Sequence, residues 1–157
     1  MRYADSSALV KLVLSEAESD ALDSHFSAAG GDTLLSSALA WLEVDRAARV
    51  SIGGDPEIDE LTRQQVNREL EKFELVEVGA PVLSRARLLA SRSLKSLDAI
   101  HIATALEAGV DEFISYDKRQ LAAAAAHGLK TVSPGVQDPN DDGETDESGA
   151  ADGDPQL

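Results

Sequence analysis

The chain has 157 residues, 43% of them hydrophobic, which suits one domain with a real core. It contains no cysteine, which excludes disulfides and thiolate metal sites and suits a reducing cytoplasm. The formal net charge of -15 is a sum over the whole chain, so it does not decide against nucleic-acid binding on one local face.

That charge is unevenly spread. Eight of the 29 acidic residues lie beyond Val136 in a segment without Lys or Arg, which accounts for -8 of the total and leaves -7 on the body. The expected organisation is a folded body over 1–135 and an acidic tail over 136–157. The tail is too poor in apolar residues to offset its ordering entropy and reads as disordered. The acidic, arginine-preferring body resembles proteins adapted to high salt, where carboxylate repulsion is screened. No apolar run approaches a membrane span, and Met1 leads straight into a strand, leaving no room for a signal peptide. The expectation is a cytoplasmic protein without a membrane partner.

The first strand ends in Asp5, followed by Ser6, Ser7 and an apolar helical run through Ala8, Leu9, Leu12 and Val13. Two readings fit Asp5: a helix N-cap, or a ligand group where open α/β sheets place their crevice, at the carboxyl end of a strand. A helix over 16–29 and a strand over 33–37 follow. A helix over 38–50 then carries Glu43, with Ser36 or Ser37 as its cap. Pro56 opens a helix over 57–73 with Ile58, Leu61, Val66 and Leu70 as its buried or pairing side. Residues 74–78 alternate at period two and read as an edge strand.

A helix over 80–93 projects Arg85, Arg87 and Arg92, a solvated face or a phosphate grip. The stretch 93–109 gives a helix with a core stripe of Ala99, Ile102, Ala103 and Leu106, a cap at Ser96 and a stop at Gly109. Asp98 falls in its first turn, where it complements the helix dipole or serves as a ligand. His101 reads as a half-buried helix histidine rather than a metal partner of Asp98, because hard divalent cations favour oxygen. A strand over 113–116 ends in Asp117, a helix covers 119–127, and 129–132 is a last strand. The alternation argues an α/β sandwich with a parallel sheet. There is no glycine-rich phosphate loop and no nucleophile elbow.

In a parallel sheet the strand ends lie side by side, so Asp5 and Asp117 become neighbours if their strands are close, with Glu43 and Asp98 over the same edge. Four converging carboxylates repel one another unless cations neutralise them. Without cysteine, Mg²⁺ or Mn²⁺ are the natural choices, and the chemistry implied is phosphodiester hydrolysis.

Asp5-Ser6-Ser7-Ala8-Leu9-Val10-Lys11, the helix bearing Glu43, Leu94-Lys95-Ser96-Leu97-Asp98-Ala99-Ile100-His101 and Ser115-Tyr116-Asp117 together resemble the PIN-domain ribonucleases of the VapC toxin type. The resemblance runs from Met1 to about Pro134 and rests on the order and spacing of these pieces. It implies a three-layer α/β/α sandwich with a short parallel sheet. Asp5, Glu43, Asp98 and Asp117 would be the acidic metal set and catalytic residues, with Ser7 supporting them. It also implies a homodimer, an antitoxin partner that reaches the acidic groove, and a structured RNA substrate such as tRNA or rRNA. Lys11, Arg92, Lys95, Lys118 and Arg119 are the candidate RNA contacts. Some relatives carry a further acid just after the fourth, where this chain has Lys118, Arg119 and Gln120. Rival readings are a receiver-like phosphotransfer domain, a PIN-like scaffold without catalysis, and a PIN nuclease of RNA maturation. The receiver reading asks for paired early acids, and the first strand here ends in a single Asp5.

Overall fold

Short runs of β-branched, aromatic and leucine residues form the centre of the molecule. A computed structural model describes residues 1–28, 30–53, 56–89 and 94–136. Strands β1 (Arg2–Ala4), β2 (Leu34–Ser37), β3 (Glu74–Val76), β4 (Glu112–Ile114) and β5 (Thr131–Val132) make one sheet in the order β3-β2-β1-β4-β5. Every pairing is parallel. Parallel neighbours need crossovers, and helices supply them: α1 (Ser6–Leu14), α2 (Ser19–Ser27), α3 (Ala40–Ile52), α4 (Pro56–Leu70), α5 (Ala80–Leu89), α6 (Ser96–Ala108) and α7 (Lys118–Ala126). The expected three-layer α/β/α sandwich and the edge position of β3 are what the fold has. Among the described residues, no helix is long and apolar enough to cross a membrane.

The period-two rule for strands sorts the core into two halves. Tyr3 is in register with both Leu35 and Phe113, and all three project into the layer of α5, α6 and α7. The rings of Tyr3 and Phe113 stack at 5.4 Å with planes 7° apart. Ala4 and Ile114, one residue on, face the layer of α1 to α4, where Leu9, Leu22, Val44, Val66 and Leu70 meet them. Tyr3, Leu9, Phe113 and Ile114 are fully buried, so the two central strands are covered on both faces.

Several boundaries differ from the expected ones for local reasons. The second helix starts at Ser19, later than 16, because Ser15 ends α1 in the left-handed region and Glu16 and Glu18 turn to the Lys11 ammonium. The third starts at Ala40 with Leu39 as its cap residue, because Ser36 donates to the Ala4 carbonyl at 2.7 Å and Ser37 accepts from the Leu39 amide at 3.2 Å in the turn before the helix. Ser96 is the first residue of α6 rather than its cap; Lys95 takes that place, without a side-chain bond. Val66 and Leu70 are buried as expected, whereas Ile58 and Leu61 stay exposed. The segment 137–157, and Arg92 with its neighbours at 90–93, lie outside the described residues.

Candidate active site

The register of the two central strands assembles the first cluster. Ala4 pairs with Ile114, and the Asp5 amide donates to the Ile114 carbonyl at 3.0 Å, which puts Asp5 beside Ser115 at the carboxyl edge of the sheet. Asp5 is 4% exposed. Its Oδ1 accepts from the Ala8 amide at 3.1 Å and the Ser7 hydroxyl at 2.7 Å, and its Oδ2 accepts from Ser115 at 3.0 Å. The capping reading is therefore correct, and Ser7 supports Asp5 directly. Burial pushes the Asp5 carboxyl above its usual range, against partial relief from His101, Ser7, the Ala8 amide and Ser115. The Ser115 hydroxyl also lies 2.8 Å from Oε1 of the buried Gln120, so its single proton serves one of two acceptors at a time.

A second cluster joins the two helical layers over the same edge. Glu43, in the first turn of α3, accepts from the Ser6 hydroxyl at 2.6 Å and from His101 Nε2 at 2.7 Å. The other imidazole nitrogen, Nδ1, is 2.7 Å from the Tyr3 hydroxyl. His101 is 2% exposed, so the expectation of a half-buried histidine is corrected: three partners from β1, α1 and α3 close over it. Burial opposes ionisation of Glu43, but its bonds from His101 and Ser6 outweigh that and hold the carboxyl below its usual range. Burial holds the Tyr3 phenol well above its usual range.

Ser6, Ser7, Lys11, Glu43, Tyr116 and Asp117 line an open pocket over these clusters. Asp117 caps α7, its Oδ1 accepting from the Arg119 amide at 2.8 Å and the Gln120 amide at 3.2 Å. Glu43 and Asp117 thus face one pocket, and Asp5 lies directly behind its Ser7 wall. Asp98 sits in the first turn of α6, three residues before His101 and so on the same helix face. No hydrogen bond or ion pair among the described residues links it to the other three acids. Nor do any three His, Asp or Glu side chains among the described residues gather as a ready metal cage. The lysine in the pocket wall is already engaged: Lys11 bonds Glu16 at 2.7 Å and Glu18 at 2.6 Å and lies 4.6 Å from the centre of the Tyr116 ring. Burial raises the Tyr116 phenol to about 12, although the Lys11 charge counters it. Lys95, Lys118 and Arg119 are exposed at the starts of α6 and α7, on the pocket's side of the sheet.

Residues 2–127 match the PIN domain sequence profile. The chain belongs to the PIN domain family. This PIN domain is 39% identical over 140 residues to the protein named Ribonuclease VapC35 of Mycobacterium tuberculosis, covering 86% of this chain and 98% of that one. It is 39% identical over 134 residues to Ribonuclease VapC46 of the same organism, covering 84% and 96%. Among solved structures, the toxin VapC20 of M. tuberculosis, described as cleaving the sarcin-ricin loop, shares its fold with a TM-score of 0.63 at 16% identity, covering 85% of this chain and 100% of that one. A toxin-antitoxin complex from Klebsiella pneumoniae matches with a TM-score of 0.63 at 21% identity, covering 85% and 98%.

Sequence reasoning gave no role in the site of this PIN domain to Tyr3, Ser6, Ser115, Gln120 or His101. A signal existed for Ser115: a polar residue directly after an apolar strand, in register with Asp5 once β1 and β4 are paired. For His101 the signal was absent, since its partners Tyr3 and Glu43 lie 98 and 58 residues away.

Proposed function

We propose that this chain is a metal-dependent endoribonuclease acting on structured RNA, the toxin of a toxin-antitoxin pair. The observation that carries the reading is the placement of Asp5, a buried carboxyl at the carboxyl end of the central strand, behind a pocket that Glu43 and Asp117 line. The identity to two proteins named ribonucleases, over nearly their full length, supports RNA as the substrate.

The proposed cofactor is Mg²⁺ or Mn²⁺, with Asp5, Glu43, Asp98 and Asp117 as its ligands. The donor set fits a hard cation: all-oxygen, anionic, without thiolate competitors. A buried carboxyl whose ionisation is disfavoured by desolvation is also a group that a neighbouring cation would return to its charged form. When bound, such an ion neutralises the site and activates water and phosphate toward each other. The protein's own part is to hold the carboxylates: Ser7, Ser115 and the Ala8 amide fix Asp5, Ser6 and His101 fix Glu43, and two α7 amides fix Asp117. Exposed Lys95, Lys118 and Arg119 are placed for phosphates, with Lys11 available only if Glu16 and Glu18 release it. In an acidic body, selectivity would rest on RNA shape and exposed bases more than on charge. Arg92, also a candidate, is outside the described residues.

Incubating the purified protein with total RNA, with Mg²⁺ or Mn²⁺, is expected to give discrete fragments on end mapping. An absence of cleavage by folded, antitoxin-free protein would leave a scaffold role instead. The partners in this reading are a cognate antitoxin protein and a second copy of the chain in a cytoplasmic setting. Exposed Ile58, Leu61, Leu83 and Leu88 on α4 and α5 support a dimer. These helices flank β3 in sequence and lie in opposite layers, so a dimer using both would straddle that sheet edge. Light scattering at high salt is expected to report twice the chain mass, and a monomer would remove the dimer.

A further inference from the structure

Glu43 is a long, flexible side chain on a surface helix, and α3 by itself does nothing to fix where its carboxylate points. The fixing comes from elsewhere in the fold. Tyr3 is locked in the core by its stack on Phe113, its hydroxyl 2.7 Å from His101 Nδ1, and His101 Nε2 is 2.7 Å from Glu43 Oε2. The Ser6 hydroxyl donates to that same Oε2 at 2.6 Å.

The direction of each bond follows from what each atom can do. An ionised Glu43 only accepts, so Nε2 carries the imidazole proton it donates. In the neutral ring, Nδ1 then presents a lone pair, and the Tyr3 hydroxyl donates to it. The Thr104 hydroxyl gives its own proton to the Ile100 carbonyl at 2.8 Å, so toward Tyr3 it acts only as a second acceptor. The result is a one-way relay from Tyr3 O–H to Nδ1, and from Nε2–H to Glu43, passing from a core strand through α6 to α3.

We propose that His101 is a positioning residue for the ribonuclease reaction, held in its Nε2–H tautomer by Tyr3 and fixing the Glu43 carboxylate at the pocket. The proposal rests on the ribonuclease reading above and adds a residue that makes no contact with RNA. A carboxylate that must meet a cation or a substrate at one position benefits when a second group restricts its rotamers, and loss of such outer partners lowers activity about 10- to 100-fold.

The test combines kinetics with a readout that needs no RNA. His101→Leu is expected to lower kcat about 10- to 100-fold with KM little changed. His101→Gln should recover most of that loss, because its amide can donate to Glu43 while its carbonyl accepts from Tyr3. Tyr3→Phe keeps the stacked ring and should lower kcat in the wild-type background but not in His101→Leu. Nitrogen NMR of the folded protein should show His101 protonated on Nε2, and Tyr3→Phe should mix the tautomers. A folded His101→Leu with unaltered kcat, equal losses in the Leu and Gln variants, or an Nδ1–H tautomer in the wild type would each overturn the proposal. A wild type that cuts no RNA would instead overturn the ribonuclease reading, and the NMR result would still report whether the relay exists.

Discussion

Replacing Asp5 by asparagine is expected to abolish RNA cleavage while leaving the fold intact. Asn keeps an Oδ1 to accept from Ser7 and the Ala8 amide, so α1 stays capped. Its new amide replaces Oδ2 opposite Ser115, and that hydroxyl can accept it by turning its own proton to Gln120, 2.8 Å away. The lost charge is the only large change. Because burial raises the Asp5 carboxyl, the folded state disfavours the ionised form, and stability falls as pH rises through the window between its unfolded and folded values. Above that window the wild type carries the full penalty and Asn carries none, so the melting temperature at neutral pH should be unchanged or higher. The fall in kcat should exceed the roughly 100-fold upper range for outer partners of a metal site. Undiminished cleavage by Asp5→Asn would sink the mechanism.

Removing divalent metal is expected to have an effect as large, and reversible. A chelator should stop fragment formation, and either Mg²⁺ or Mn²⁺ should restore it. Direct binding offers a separate measure: titrating Mn²⁺ into wild type and Asp98→Asn should show at least about tenfold weaker binding in the variant. Affinity of this kind would come from converging charge rather than from one ligand, so removing any of the four acids is expected to weaken it. Asp98 is the instructive one, because no hydrogen bond or ion pair among the described residues ties it to Asp5, Glu43 or Asp117. Equal affinities would remove it from the set. Cleavage that persists in chelator would leave the carboxylates as general acid and base groups without a metal.

The sandwich, the edge character of the strand at 74–76 and the position of Asp5 at a strand end were legible because they follow from local pattern. Strand-forming runs alternate with helical ones, and an acid followed by two serines marks a turn into a helix. Glu43 and Asp117 were legible as acids after strand ends. What the sequence concealed depends on pairing between distant residues. Ser36 looks like a cap and is instead a core donor to Ala4. Ile58 and Leu61 follow the helical stripe of Val66 and Leu70 yet stay exposed, since α4 buries only its later turns against α1 and α3. His101 looks like any polar residue beside a core stripe, and its burial makes sense only once Tyr3 and Glu43 are known to converge on it.

The central pairing of β1 with β4 has a consequence for how the molecule comes into being. Asp5 meets Ser115 across 110 residues of chain, and Tyr3 meets His101 across 98. Contacts so distant in sequence must close a large loop before they gain anything, which slows folding and defers completion of the sheet. During vectorial synthesis Asp5 has only its local partners Ser7 and the Ala8 amide, and its Oδ2 waits for Ser115 until that segment has emerged. An emerging chain therefore cannot complete the contact between Asp5 and Ser115 until the ribosome has made nearly the whole folded body.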